Sequence, residues 1–397
     1  MSQTQQTVLI LNGSHAEIPL IEAAKSLGYR VVTTGADPSG LGHPFADEYV
    51  PADFSDAEAI LAVARDQGVV GIIAGCNDFA AITAAHVAHA MDLLGHDDPN
   101  TCIRLHHKDR FRETMEGLGL PSIRAVRVTD AQGVHDAMAE LHLPVIVKPI
   151  DLTGGKGMTV CDSADEIGAA VEAALKRSRA SHVVIEEYLT GSHHGFTCFI
   201  ESGKVVWWFA DDEQYFLNPF LVAGTSTPSS LPDRAIEGLV EAVETISRHL
   251  ELVDGLVHIQ CILTADGPRI IELCRRCPGD LYPEFVRIST GHDYADTVVR
   301  AELGLPLEIP SSVPAAKPTV RNCAMAATDG AFDAIAVSPE VEDYVVRQWP
   351  LADPGTPITD HLTQKQAIIF LQFSSMSDIQ QHLARRKTDI RVLVKGT

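Results

Sequence analysis

The sequence predicts an α/β chain that opens on a doubly wound parallel sheet and passes into mixed α+β structure with a C-terminal α/β extension. Three observations carry this. Residues 7–11 (TVLIL), an apolar set Ile18, Leu20, Ile21, Ala24 and Leu27 at helical spacing, and residues 30–33 (RVVT) spell a β-α-β unit. An apolar strand at 144–149 ends in a lysine, Lys148, and runs into a glycine-rich loop. Two strand-like segments, His258–Leu263 and Arg269–Cys274, meet at an Asp266-Gly267 turn, the strongest short hairpin signal.

Taken in order, the first strand ends at Asn12-Gly13-Ser14-His15, a fragment of a glycine fingerprint that does not by itself specify a nucleotide site. Gly28 caps the helix that follows. Helix 56–67, strand 69–74 and an Ala-rich helix 79–91 extend the pattern, so residues 1–104 are expected to form the opening domain. A helix at 107–117, strand 144–149, the loop 153–158, helix 164–177 and strands 183–187 and 196–200 belong to the next expected domain, 105–305. Pro306, Pro310, Pro314 and Pro318 mark a connection into 306–397, where strands 366–372 and 390–394 flank a helix. No internal repeat or low-complexity segment is present.

With 397 residues the chain is long enough for two or three cores. Its net charge of −22 argues against a nucleic-acid partner while leaving room for a nucleotide in a local basic pocket. The eight cysteines follow no framework spacing, and the lone Cys274-x-x-Cys277 has no second pair, so reduced thiols in a cytoplasmic protein are expected and zinc is not. The start, MSQTQQ, lacks the layout of a signal peptide, and no apolar run is long enough for a bilayer, so no membrane partner is expected.

The chemistry concentrates in four places. Lys148 closes PVIVKP, where a charge is costly unless it meets an anion. Beyond it lies DLTGGKGM, whose glycines allow successive N–H groups to cradle phosphate; a plain glycine-rich turn is the alternative. Strand 183–187 ends in Glu186-Glu187-Tyr188-Leu189, either a frame for a flat base or a structural strand end. Folding the hairpin about Asp266 sets Gln260 opposite Glu272 and His258 opposite Cys274, with Cβ atoms roughly 5 Å apart. Arg276 follows on the same face, and an oxygen-ligand pair beside an arginine suits magnesium holding phosphates; a solvated polar face is the alternative. The other face, Ile259, Cys261, Leu263, Ile271 and Leu273, is apolar and fit for a core.

In order, HHKDRF, PVIVKP, DLTGGKGM, VVIEEYLTG and HIQCILTADGPRIIELCRRCPGD resemble the ATP-grasp superfamily, in its carboxylate–amine ligase type related to biotin carboxylase and the carbamoyl-phosphate synthetase large subunit, over roughly residues 7–310. The resemblance implies a Rossmann-like pre-ATP-grasp domain followed by a two-lobed ATP-grasp domain. It implies ATP and Mg²⁺, with Mn²⁺ as a substitute, and small carboxylate and amine substrates joined through an acyl phosphate. Lys108 and Lys148 would touch nucleotide phosphates, and Gly154, Gly155 and Gly157 would line a lid. Glu186, Glu187 and Leu189 would meet adenine, Gln260 and Glu272 the metal, and Arg276 the γ-phosphate, with Arg276 and Lys148 catalytic. Two departures stand out: Cys274 replaces the usual asparagine ligand, and Gly191-Ser192-His193-His194 replaces the usual ribose contact, leaving His194 or His193 for a ribose hydroxyl. Asp211–Tyr215 with Pro228-Ser229-Ser230 is a candidate substrate segment or a solvated turn, and alternation turns Arg275 away from Arg276. A homodimer is compatible with this reading. Alternatives are a carbamoyl- or carboxy-phosphate-forming enzyme using bicarbonate, and a non-catalytic nucleotide-binding subunit.

Overall fold

The computed structural model describes residues 5–130, 133–152, 154–180, 182–310 and 315–395. The MSQT start, Thr153 of the glycine loop and Pro314 of the connection lie outside the described residues.

Among these residues the strands form four sheets. The first is fully parallel, in the order Glu48–Pro51, Arg30–Gly35, Thr7–Leu11, Gly71–Ile73. Alternation along its strands fills two layers. Leu9, Leu11, Val32 and Ile72 pack on helices Ala57–Asp66 and Asp78–Ala90, while Val8, Ile10, Val31 and Ile73 join a core with helices Ile18–Ser26 and Tyr294–Glu302. Both faces are covered, so the strands read as continuous apolar runs. Fully burying each such side chain contributes about 1.5–3 kcal/mol. Caps fix the turns: Ser14 and Glu17 form a capping box, and the Asn77 side chain accepts the Phe79 N–H.

A four-stranded antiparallel sheet, Ala125–Val128, Val183–Glu187, Val145–Pro149 and Thr159–Cys161, is backed by helix Ala164–Leu175. Val145, Val147, Val183 and Ile185 point into that core, which turns Ile146 and Lys148 the other way, toward a cleft. The far side of the cleft is an eight-stranded sheet. Its order is Gly267–Cys274, Gly255–Thr264, Ser192–Glu201, Lys204–Tyr215, Val222–Thr227, Thr319–Ala324, Ala367–Gln372, Val345–Pro350. Helix Asp233–Leu250 covers its back through Leu239, Val243 and Ile246.

One expectation changes. The strand foreseen at 196–200 is the inner half of Ser192–Glu201, and its neighbour Lys204–Tyr215 takes in the whole Asp211–Tyr215 segment, so that segment is a strand and not a surface turn. Polar residues there hold strand geometry because Asp211 and Asp212 pair with Ser192–Glu201 and Asp212 through Tyr215 with Val222–Thr227, which local composition does not report. The strands of the C-terminal extension, 306–397, are divided between two sheets. Thr319–Ala324 pairs with Val222–Thr227 and carries Ala367–Gln372 and Val345–Pro350 into the central sheet. Only Gly330–Val337, Pro357–Ile358 and Ile390–Lys395 make a sheet of their own.

Candidate functional site

The cleft between the four-stranded and eight-stranded sheets has a volume of about 280 Å³. Lys108, Lys148, Gly154, Gly155, Glu187, Leu189, Gln260, Glu272 and Arg276 line it, so most of the residues singled out in the sequence converge here. Gly157, Glu186 and His194 do not.

Its outer end is organised by Glu186. This side chain is fully buried; Lys148 Nζ donates to one carboxylate oxygen at 2.7 Å and Arg112 Nε to the other at 2.9 Å. Burial alone would raise the Glu186 pKa, but the two cations outweigh it and bring it to about 2. Burial lowers the Lys148 pKa in turn, against the pull of Glu186. Glu186 is therefore a strut that aims Lys148 at the cleft rather than a base contact. Arg112 ties the strut across the cleft, donating to the Ile271 carbonyl at 2.7 Å. The Glu187 and Tyr188 N–H groups are already used by Arg124 and Pro144 carbonyls, and the Glu187 carboxylate by His142 at 2.9 Å.

The glycine loop crosses above. Gly154, Gly155 and Gly157 all have positive φ, at 65°, 72° and 72°. A Cβ at Gly155 would fall 2.5 Å from Phe220 Cβ, so only glycine admits this approach of loop to strand connection. Gly157 packs instead on Pro149, outside the cleft.

The hairpin supplies the opposite wall. Gln260 pairs with Glu272 and His258 with Cys274, as folding about Asp266 requires. The route differs, because Thr264 pairs with Gly267 and a bulge at Gln260/Cys261 restores the alignment. Gly267 has φ 106°, as the turn demands. The bulge moves Ile270 into the core place expected for Ile271, and Ile271 faces the cleft. Gln260 Nε2 donates to Glu213 at 2.6 Å, which leaves the amide oxygen beside Glu272 for a cation. Lys108 Nζ stands 3.4 Å from Glu272 and donates to the Leu152 carbonyl at 3.0 Å. This all-oxygen donor pair fits Mg²⁺. Burial pushes the Cys274 thiol well up, so it stays protonated and adds no ligand.

Arg276 enters the cleft held by Asp78, at 3.0 and 3.2 Å. Asp78 also accepts from His106 Nδ1 at 3.0 Å, and the Arg275 backbone N–H donates to His106 Nε2; this acceptor role makes the ring neutral in the geometry seen, although against burial Cys102 and Asp78 push its pKa up to about 10. Asp78, His106 and Cys274 lie close enough to share a metal, yet the Asp78 oxygens are already taken by Arg276 and His106. Arg275 turns away to Asp97 at 2.7 Å, as alternation predicts.

At the inner end, Asp211, Glu213 and Tyr215 face the cleft and Asp212 faces away. Asp212 gathers Ser229, the Ser230 N–H and His194 Nδ1 (2.8 Å) on the opposite face. His194 is fully buried there, so the cleft-facing histidine is His193, 3.0 Å from the Tyr215 hydroxyl. Residue parity on a strand decides this. Burial and the neighbouring Glu213 push Asp211 up to about 7, despite the Tyr282 hydroxyl and Arg321; Glu213 is also raised by burial. His258 is pushed down to about 3 by burial with Arg276 and Arg321 nearby, so it is neutral. Arg321, Arg112 and Asp78 escaped the sequence reading. Arg321 carried a usable signal, a charge inside the strand TVRNCA, the same signal that marked Lys148.

Residues 107–214 match the family model of the phosphoribosylglycinamide synthetase ATP-grasp (A) domain. The chain is 24% identical over 355 residues to the uncharacterized protein y4rH of Sinorhizobium fredii, covering 85% of this chain and 72% of that protein. It is 22% identical to the carbamoyl phosphate synthase large chain, C-terminal section, of Methanopyrus kandleri, over 86% of this chain and 62% of that one. The L-amino acid ligase of Bacillus licheniformis superposes with a TM-score of 0.83 at 19% identity, covering 100% of both chains, which shows a shared fold. No helix among the described residues is long and apolar enough to cross a membrane.

Proposed function

We propose that the chain is an ATP-grasp protein, and that it works as an ATP- and Mg²⁺-dependent ligase joining a carboxylate to an amine through an acyl phosphate. The observation that carries this is the Gln260–Glu272 pair on one cleft with Lys108, Lys148 and Arg276. Hard oxygen donors and three cations around one cavity suit a polyphosphate and little else. In this reading 105–305 is the nucleotide-binding and catalytic unit, with Cys76 and Arg321 reaching the same cleft from either side of it.

The reaction has two balanced steps. A substrate carboxylate oxygen attacks the γ-phosphorus and ADP leaves; an amine then adds to the acyl carbon, phosphate departs with the C–O electrons, and the nitrogen loses one proton to the departing phosphate or to water. Gln260 and Glu272 would hold the metal, which neutralises phosphate charge. Lys108 and Lys148 would hold phosphate oxygens, and Arg276, fixed by Asp78, would offset charge on the transferring group. Gly154 and Gly155 would let loop N–H groups close over the phosphates and exclude water from the acyl phosphate. Leu189 would flank the base, and His193 would be the ribose-side histidine.

The test is phosphate release by the pure protein with ATP, Mg²⁺ and pooled carboxylates and amines, with mass spectrometry of products. Substrate-dependent release with an amide product is expected. Release that depends on bicarbonate alone favours carboxy-phosphate chemistry, and ATP binding without any release makes the chain a nucleotide-binding subunit.

A further inference from the structure

The inner end of the cleft holds four buried polar atoms that no protein group satisfies: Asp211 Oδ1, Thr225 Oγ1, His258 Nδ1 and Arg321 Nε. Their residues are 1%, 2%, 7% and 4% exposed. Buried polar groups are nearly always paired, so four on one wall call for a ligand that pairs them.

The four differ in chemistry and are fixed in place. Tyr282 donates to Asp211 Oδ2 at 2.6 Å, leaving Oδ1 without a protein partner and open to a cationic donor. Arg321 Nη1 donates to the Gly279 and Asp280 carbonyls at 2.9 and 3.2 Å, and the guanidinium lies 5.4 Å from the Tyr282 ring centre. Those contacts leave its Nε edge as a cationic donor. Thr225 stands directly opposite Arg321 on one neighbouring strand and Glu213 on the other. Neutral His258 adds a hydrogen bond without a third charge. Strands Lys204–Tyr215 and Thr319–Ala324 are separated by one strand, about 10 Å at the backbone, and side chains from each narrow that gap to the span of a small dipolar molecule. Gly195, directly opposite both Asp211 and Gln260, keeps the floor clear, since a Cβ there would meet Asp211 Oδ2 at 2.8 Å.

We propose that this chamber binds an α-amino acid as its zwitterion, the ammonium on Asp211 with Thr225 beside it and the carboxylate on the Nε edge of Arg321. The proposal rests on the ligase reading in making this amino acid one of the two substrates. Its own claim is narrower: both charges are required. A plain carboxylic acid brings no cation to Asp211, whose Oδ1 then lacks the ammonium donor, and an amino acid amide brings no anion to the buried Arg321.

The experiment is calorimetric titration of the full chain, with Mg²⁺ and a non-hydrolysable ATP analogue, using each proteinogenic L-amino acid, then the des-amino acid and the amide of any that binds. At least one amino acid is expected to bind, with both analogues roughly 10- to 100-fold weaker. Asp211→Asn should erase the preference over the des-amino acid, and Arg321→Gln the preference over the amide, with nucleotide affinity unchanged. Equal binding of amino acid and des-amino acid by the wild type overturns the proposal, whether or not either variant folds. So does nucleotide binding with no amino acid bound. Amino acid binding without nucleotide binding keeps this proposal and removes the ligase reading instead.

Discussion

The two ends of the cleft solve the problem of buried charge in opposite ways. At the outer end Lys148 and Arg112 each take one oxygen of Glu186, so the geometry is fixed before any ligand arrives. At the inner end Asp211 and Arg321 each keep an unpaired atom, and the chamber waits on a ligand for its last hydrogen bonds. The comparison teaches that preorganisation and recognition are divided along the cleft. The outer end spends its charges on internal struts that aim a lysine; the inner end withholds them for a partner.

The largest expected effect tests the shared middle. Glu272→Gln keeps size and removes the only formal negative charge of the Gln260–Glu272 pair, so kcat/KM should fall by about two to three orders of magnitude, with partial recovery at raised Mg²⁺. Full activity at ordinary Mg²⁺ removes the hairpin from the site and with it the frame of the comparison.

Next, Glu186→Ala should destabilise the protein by about 3–5 kcal/mol, because two cations lose their buried partner, whereas Asp211→Asn should leave the melting temperature unchanged or higher. Equal losses in thermal unfolding would falsify the contrast between the ends. Lys148→Ala should cost about 1.5–3 kcal/mol in kcat/KM through the lost phosphate contact.

The two ends should also respond to pH with opposite signs. Glu186 is held at about 2, below its ordinary value of 4.5, so it contributes stability above pH 4.5 that is lost as pH falls toward 2, about 3 kcal/mol in all. Asp211 is raised from 3.8 to about 7, so the native state binds the extra proton and this residue lowers stability as pH rises from about 4 to 7, by up to about 4 kcal/mol. The groups facing it are Glu213, Tyr282 and Arg321, with Asp212 adjacent. Denaturant titrations of wild type and Asp211→Asn should therefore converge near pH 4 and separate by pH 7, the variant being more stable at the upper end. Curves that stay parallel across that window refute the assignment.

The smallest effect is expected from Cys274→Asn. It offers an amide oxygen beside Glu272 where burial now keeps a protonated thiol, and should leave the rate intact while lowering the Mg²⁺ concentration for half-maximal activity. A raised Mg²⁺ requirement would count against the placement of the metal.

Much of the outer end was legible in the sequence because its signals are local. Lys148 interrupts an apolar strand, the glycines of DLTGGKGM have one use for positive φ, and a turn centre fixes which hairpin residues oppose. Even so, the turn is centred between Ala265 and Asp266 rather than on Asp266, and the bulge that corrects the one-residue register difference sends Ile271 to the cleft. Glu186 was legible as a residue but not as a strut, since it lies on a strand and its partner Arg112 on the distant helix Lys108–Gly117, with no spacing to connect them.

By itself the sequence determined the β-α-β opening, the register that sets Gln260 against Glu272, and the family resemblance, because periodicity, turn chemistry and ordered motifs act over a few residues. Tertiary structure alone decided that Asp211–Tyr215 is a strand between two partners, that His193 rather than His194 faces the cleft, and that Arg321 reaches it from a strand more than a hundred residues beyond Asp211. The physical reason is common to all three. A strand pairs with whatever the fold sets beside it, and the parity of that pairing, invisible in one segment, chooses which side chains share a cavity.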